Sequence, residues 1–157
     1  MHRMIQVRRA ELEDAPAIVD FQILMASETE GLLLDRQVVM LGVRGVFEDP
    51  SRGVYYVAEV DGQIIGSLLT TFEWSDWRNG TVLWIQSVFV MPVFRRKGVY
   101  SRMYRYLQDM VIKDPSLRGI RLYADHANIT AHQAYRNLGM NDDHYRTFEW
   151  MKEQSAN

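Results

Sequence analysis

Near the middle of the chain, a strand-like stretch runs into a short basic loop that contains one glycine. Residues 88–91 are mostly β-branched or aromatic, residues 95–98 are three basic residues and a glycine, and apolar residues recur at helical spacing from Val99 onward. A helix that begins at such a loop presents unpaired backbone N–H groups and the positive end of its dipole, so the loop can bind a pyrophosphate. A solvated basic turn before a surface helix explains the loop alone equally well. The spacing matches neither a P-loop nor the G-x-G-x-x-G fingerprint.

Residues 73–78 combine acids and aromatic rings just before a predicted turn at Asn79 and Gly80. A carboxylate can take the proton of an alkylammonium group, whose pKa is about 10, and aromatic rings attract such a cation through their faces. Glu73 is therefore a candidate base or anionic anchor, and Trp74 is a candidate substrate contact. A hairpin tip with exposed acids and packed tryptophans is an equal alternative.

Other catalytic chemistries have less support. The chain has no cysteine, which excludes disulfides, thiolate metal ligands and a thiol nucleophile. His126, His132 and His144 do not stand at a recognised metal-binding spacing, and no G-x-S-x-G elbow surrounds a serine. We therefore predict no metal, and the main support for a hydrolase is missing.

The overall charge gives no reason to expect a nucleic acid or an acidic membrane as a partner. The formal net charge is −2 at pH 7, so an anion site must be a local cluster. Basic residues and tyrosines over residues 95–106 offer an alternative, a nucleic-acid surface of charges and stacking rings, but Val99, Met103 and Leu107 take one helix face for packing. No segment reaches the roughly 18 apolar residues of a membrane helix, and no apolar leader follows the first basic residues, so we expect a cytoplasmic protein.

The elements that would position these residues follow from turn signals and periodicity. Asp61-Gly62 and Asn79-Gly80 predict hairpin turns, and β-branched or aromatic runs predict strands. The predicted strands are residues 4–9, 54–60, 63–69, 81–91, 119–124 and Tyr145–Met151. Apolar residues at helical spacing predict helices that run to about Ala26, from Asp35 to Phe47, from Val99 to about Lys113, and over residues 131–138.

This order, βααβββαβαβ, predicts an α/β (α+β) fold in which a mixed, mostly antiparallel central sheet is flanked by helices. The 157 residues, 47% hydrophobic and 24% charged, suit one domain with a sizeable core. We expect that domain over residues 4–152 and a frayed tail over residues 153–157.

Two motifs in this order resemble those of a known family. Arg95-x-x-Gly98-x-Tyr100 after a strand resembles the Q/R-x-x-G-x-G/A coenzyme A loop of the GNAT acetyltransferases. Downstream, the stretch from Asn128 through Tyr135 to Met140 is similar to the family's N-x-x-A-x-x-x-Y-x-x-x-G-F element. The predicted topology agrees with the family fold over nearly the whole chain.

The resemblance implies a single-domain N-acetyltransferase that moves acetyl from acetyl-CoA directly to a primary amine of a small molecule or peptide. It implies that a backbone stretch binds the pyrophosphate, namely Arg95, Arg96, Lys97, Gly98, Val99, Tyr100 and Ser101. It implies that the strand around Val88, Phe89 and Val90 pairs with pantetheine. It places Asn128 and Tyr135 against the coenzyme, with Tyr135 as the acid for the leaving thiolate. Tyr100 departs from the family pattern, because a bulky side chain stands where a small residue is usual.

The resemblance also implies that the connection at Glu28, Thr29 and Glu30 contributes to the acceptor site, for which a mobile solvated loop is the alternative. Gln86 and Ser87 can hold a water or orient the acceptor, or serve as polar groups of a sheet face. Tyr135 can equally be a core ring, and Asn128 a helix cap. A non-catalytic acyl-CoA-binding or regulatory module is the alternative function. Exposed edges of the last strands allow a homodimer.

Overall fold

The computed structural model describes residues 4–152 and contains a five-stranded sheet in the order β1-β2-β3-β4-β5. The strands are β1 Gln6–Arg9, β2 Val54–Val60, β3 Gln63–Ser75, β4 Gly80–Val90 and β5 Leu117–Leu122. The first four pair antiparallel, and β5 runs parallel to β4. The helices in this part of the chain are α1 Ala15–Glu30, α2 Arg36–Glu48, α3 Val99–Lys113 and α4 Ile129–Asn137, with short 3-10 turns at Leu12–Asp14 and Pro92–Phe94.

The two predicted hairpins are confirmed, but the second turn comprises residues 76–79, and Gly80 is the first residue of β4, paired with Ser75. The backbone of both turns explains the residues found there. Asp61 and Gly62 have φ values of 50° and 79°, and Asn79 has φ of 48°. Aspartate, asparagine and glycine tolerate this left-handed region better than other residues. The turns fix the antiparallel pairing of β2, β3 and β4, so the middle of the sheet follows from local sequence.

Helix ends are set by equally local features. Asp35 caps α2 through Oδ1, which accepts hydrogen bonds from the N–H groups of Gln37 at 2.9 Å and Val38 at 3.4 Å. Gly31 ends α1 with φ of 65°. The α1 helix starts at Ala15 after a 3-10 turn and runs to Glu30, four residues beyond the predicted end.

The sheet separates two hydrophobic clusters, because neighbouring residues of a strand point to opposite faces. Tyr56 and Ala58 of β2 pack with α3, including the fully buried Met103 and Leu107. The alternate residues of the same strand pack against α1 and α2 on the other face. The α1–α2 pair and α3 therefore cover opposite faces and support the strands between them.

The predicted strand at Tyr145–Met151 is wrong for the described chain. Residues 145–151 have no strand pairing, and Tyr145, Phe148, Trp150 and Met151 are exposed. The aromatic run satisfies a strand pattern, but a strand also needs an edge to pair with, and the backbone of this segment does not pair with β5. The predicted β5 is also displaced, since it covers Leu117–Leu122. The predicted tail at 153–157 lies outside the described residues.

None of the described helices combines the length and apolarity needed to cross a membrane.

Candidate active site

The β5 strand pairs with only the first half of β4. They pair in parallel only from Thr81 to Ile85 of β4, whereas β4 itself continues to Val90. Beyond Ile85, the backbone groups of β4 that face β5 therefore have no strand partner within residues 4–152. This opening exposes N–H and C=O groups that an extended ligand can pair with.

A bulge at Ser87 lies just beyond Ile85, the last β4 residue that pairs with β5. Leu69 of β3 lies opposite Gln86, but Ser67 lies opposite Phe89, so β4 carries one extra residue there. Ser87 takes φ of 55°, which is uncommon for a residue with a side chain. A bulge bends its strand and disrupts the ladder locally. From the sequence, Ser87 is a group that could hold a water or orient the acceptor, or a polar residue of a sheet face, and nothing in its type signals the bulge.

The basic loop follows β4 and opens α3. Arg96 and Gly98 both have positive φ, at 62° and 79°, and α3 begins at Val99. The first intrahelical bond runs from the N–H of Arg102 to the carbonyl of Gly98. The N–H groups of Val99, Tyr100 and Ser101 precede that bond in the first turn and are free to bind an anion.

The three basic side chains of the loop have different partners. Arg95 donates from Nε to the Val90 carbonyl and from a terminal nitrogen to Glu28, both at 2.8 Å. Its guanidinium also lies 5.4 Å from the centre of the Phe89 ring. Arg95 therefore ties the end of α1 to the loop. Arg96 and Lys97 make no ion pair within the described part of the chain and are the loop cations available to an anion.

Tyr100 does not crowd the loop, because its side chain packs inward. Its ring lies 5.6 Å from Tyr135 and 6.4 Å from Tyr104, measured between ring centres. The hydroxyl is buried and has no hydrogen-bond partner among the described residues. Burial raises the pKa of the Tyr100 phenol well above its ordinary value. The bulky residue is thus accommodated by the core between α3 and α4.

Tyr135 and Asn128 both belong to α4. Asn128 caps the helix, with Oδ1 accepting a hydrogen bond from the N–H of Ala131 at 3.1 Å, so the capping alternative is what the structure contains. Tyr135 is half-buried and contacts Tyr100 edge to face. Burial raises the pKa of Tyr135, so its phenol stays neutral at physiological pH and can donate a hydrogen bond.

Glu73 is held in a cluster that spans three strands. Its carboxylate accepts a hydrogen bond from Trp84 Nε1 at 2.7 Å and from one guanidinium nitrogen of Arg121 at 2.8 and 2.9 Å. The Trp84 hydrogen bond and, after it, Arg121 lower the pKa of Glu73 despite some opposing desolvation. A carboxylate with a lowered pKa is a weaker base. The sequence could not show this pairing, since Arg121 lies 48 residues away.

The remaining acceptor candidates do not form one group. Gln86 lies on the Trp84 face of β4 and donates from Nε2 to Thr71 Oγ1 at 2.8 Å. Trp74 neighbours Glu73 in β3 and so points to the opposite face, where it is exposed. Glu28 reaches the basic loop through Arg95. Glu30 is exposed at the end of α1.

A cavity lies apart from the candidate site, and the described residues hold no cluster of metal-binding side chains. A cavity of about 740 Å³ lies between the start of α1, α2 and β2, and none of the predicted site residues lines it. Over residues 4–152, no three His, Cys, Asp or Glu side chains come close enough together to hold a metal ion.

Solved structures share the fold of this chain over nearly their whole length. A possible acetyltransferase from Clostridium difficile 630 is 37% identical with a TM-score of 0.89, covering 96% of this chain and 99% of the other. A predicted acetyltransferase from Clostridium acetobutylicum, solved with acetyl-CoA, is 18% identical with a TM-score of 0.74, covering 97% and 100%. The aminoglycoside N-acetyltransferase AAC(6′)-Iy, solved with CoA, is 13% identical with a TM-score of 0.76, covering 97% of each chain.

The acetyltransferase from Clostridium acetobutylicum and AAC(6′)-Iy, which are 18% and 13% identical to this chain, establish only its fold. No match was found among curated proteins. The model of the acetyltransferase (GNAT) family matches residues 18–140, which include the bulged strand, the basic loop and α4. The chain therefore belongs to the GNAT acetyltransferase family.

Proposed function

We propose that the protein is an N-acetyltransferase that moves acetyl from acetyl-CoA directly to a primary amine of a small molecule or peptide. The observation that carries the proposal is the unpaired edge of β4 beyond Ile85, which leads into a basic loop at the start of α3. Acetyl-CoA carries its thioester at one end of the extended pantetheine arm and a pyrophosphate beyond the other end, so its site needs a strand edge followed by an anion-binding loop. The cytoplasmic location expected from the composition is part of the same proposal.

The residues of the loop suit a pyrophosphate. Free N–H groups in the first turn of α3 supply directed donors, and Arg96 and Lys97 supply charge without a competing carboxylate among the described residues. Residues 86–90 offer an unpaired strand edge to the amide groups of pantetheine. Arg95 has a positioning role in this scheme, because its guanidinium is already bonded to Glu28 and Val90.

The chemistry requires a polarised thioester, an uncharged amine and a proton for the departing sulfur. Acetyl-CoA supplies the activated acetyl group when bound. We assign the proton donor to Tyr135, whose neutral phenol lies beside α3 and can hydrogen-bond a developing thiolate. We assign Glu73 to anchoring the acceptor, because its lowered pKa suits a fixed negative charge better than a proton acceptor.

Calorimetry with acetyl-CoA tests the coenzyme loop. Charge reversal of Arg96 by Arg96→Glu removes a charge-assisted contact worth roughly 1.5–3 kcal/mol and is expected to weaken binding about 10–100-fold. Arg44→Glu changes another exposed arginine, in α2, and serves as the matched control, with unchanged affinity expected. Equal affinities for both variants and the unmodified protein would remove the loop from the site.

A panel of primary amines, assayed by release of free thiol, tests transfer itself. An enzyme releases coenzyme A faster with at least one amine than with water alone. A protein that binds acetyl-CoA tightly but shows only background hydrolysis with every amine is instead the non-catalytic acyl-CoA-binding module.

A further inference from the structure

The cavity between α1, α2 and β2 has the size of a small-molecule site. Its volume of about 740 Å³ lies within the range of about 300–1,000 Å³ that such sites occupy. None of the residues assigned above to the coenzyme or the acceptor lines it. A ligand bound here would therefore be distinct from both substrates of the proposed acetyl transfer.

The floor of the cavity is apolar and partly aromatic. One side chain of α1, two of α2 and one of β2 form it, namely Val19, Met40, Phe47 and Tyr55. The rings of Phe47 and Tyr55 stack with their centres 5.8 Å apart. Such a floor favours an aliphatic or aromatic group, because that group leaves water on binding.

Tyr55 brings an unused polar group to this floor. The residue is only 6% exposed, yet its hydroxyl forms no hydrogen bond with any group of residues 4–152, and burial raises its pKa to about 12. Nearly all buried polar groups of native proteins have a hydrogen-bond partner. The neutral phenol of Tyr55 is therefore a donor that a ligand in the cavity can satisfy.

Two opposite charges on the α2 side of the cavity are also unused. Arg36, Met40, Arg44 and Glu48 recur every four residues and so lie along one side of the helix. Arg36 is bonded to Asp20. Arg44 and Glu48 are exposed and form no ion pair within the described part of the chain, even with each other. A guanidinium and a carboxylate one turn apart therefore remain available.

The two helix ends at the cavity add fields of opposite sign. The start of α1 at Ala15 and the end of α2 at Glu48 both line it. A helix start favours an anion and a helix end favours a cation. The formal charges of the lining also balance, since it contains three arginines and three glutamates, namely Arg9, Arg36, Arg44, Glu11, Glu13 and Glu48. A ligand with one charge of each sign suits these surroundings better than a simple anion or cation.

We propose that this cavity binds a free α-amino acid with an apolar side chain. The ligand carboxylate pairs with Arg44 and accepts a hydrogen bond from the Tyr55 hydroxyl, and the ligand ammonium group pairs with Glu48. The apolar side chain packs on Met40 and Phe47. The cavity is thus a binding site separate from the proposed acetyl transfer and independent of it.

Calorimetry with L-phenylalanine, in the absence of acetyl-CoA, tests the ligand class. Saturable binding at one site is expected. 3-Phenylpropionate lacks the ammonium group and 2-phenylethylamine lacks the carboxylate, so each is expected to bind at least about 10-fold more weakly through the loss of one charge-assisted contact. Equal affinity for either compound would show that the site does not recognise a zwitterion, and the proposal would fail.

Variants identify where the amino acid binds. Arg44→Gln and Glu48→Gln are each expected to weaken L-phenylalanine binding about 10-fold or more, and Tyr55→Phe roughly 2–10-fold. Glu73→Gln alters the candidate acceptor site and is expected to leave this affinity unchanged. Circular dichroism reports whether each variant is folded.

Two results overturn the proposal. One is the absence of saturable binding at millimolar L-phenylalanine. The other is binding that is weakened by Glu73→Gln but not by Arg44→Gln, because the amino acid would then occupy the acceptor site. Neither result bears on acetyl transfer, which the amine panel measures separately.

Discussion

Two tyrosines in contact provide a direct test of the proposed proton donor. Tyr135 and Tyr100 meet edge to face with ring centres 5.6 Å apart, and burial raises the pKa of both phenols. Replacing either by phenylalanine removes one oxygen and keeps the ring, so neither variant opens a cavity. Each is the matched control of the other.

The expected effects differ in kind. Tyr135→Phe is expected to lower kcat by roughly 10²–10⁴-fold, the usual contribution of a general acid, and to change stability little. Tyr100→Phe removes a buried hydroxyl without a partner among the described residues, and burying such a group costs about 1–3 kcal/mol. This variant is expected to unfold at a higher temperature, by about 2–4 °C for each kcal/mol regained, with kcat unchanged.

Single-turnover acetylation and thermal unfolding measure the two effects separately. Because both phenols stay neutral below their raised pKa values, the loss in Tyr135→Phe is expected to be independent of pH in the neutral range. Wild-type kcat in Tyr135→Phe would make that residue part of the core only. A fall in kcat in Tyr100→Phe, with unchanged kcat in Tyr135→Phe, would show that Tyr100 is the proton donor and that the assignment to Tyr135 is wrong.

Two further predictions concern carboxylates with lowered pKa values. Glu73→Gln is expected to raise KM for a cationic amine about 10-fold, because the variant loses one partly exposed charge contact. The rise of log(kcat/KM) with pH is expected to remain, because Glu73 does not take the proton of the amine. If the variant loses this rise, Glu73 is the base after all. The Asp14 carboxylate accepts two hydrogen bonds from Arg8, at 2.8 and 3.1 Å, which lower the pKa of Asp14 below the ordinary 3.8. The contribution of this pair to the free energy of unfolding is therefore fully present above pH 3.8 and is lost as the pH falls through the lower pKa of the folded state. Urea unfolding is expected to show Asp14→Asn less stable by about 1–3 kcal/mol at pH 7, and a gap undiminished at pH 2 would contradict this.

Local sequence predicts most of the fold, because the residues that form turns and helix caps act on their near neighbours in the chain. The turns at Asp61-Gly62 and at Asn79 require residues that tolerate positive φ. The caps, Asp35 at the start of α2 and Gly31 at the end of α1, act within a few residues of the helix they bound. These signals give the order of elements through α4. The last predicted strand failed because Phe148 and Trp150 carry the pattern of a strand but no information about which edge they pair with.

The candidate site was less predictable, because its main features depend on long-range contacts. The bulge at Ser87 has no residue signature, and the pairing of Arg95 with Glu28 joins residues 67 positions apart. The same applies to Tyr100, which is bulky where the family has a small residue, because only the fold shows that its ring packs into the core between α3 and α4. Motif spacing proposes the loop and Tyr135 as candidates. Only the folded chain shows which charged side chains are already paired, as Arg95 is with Glu28.

The pairing of candidate carboxylates with arginines constrains how an amine would lose its proton. An alkylammonium with a pKa near 10 is almost wholly protonated at pH 7, and each pH unit of that gap costs about 1.36 kcal/mol. Glu73 is compensated by Arg121 and Glu28 by Arg95, so neither carboxylate is placed to repay that cost as a base. The amine would then react from its small neutral fraction, and the protein would contribute by holding it near the thioester. Glu73 as the anionic anchor, and Trp84 and Gln86, which lie two positions apart on one face of β4 beside the bulge, are the groups placed to do so.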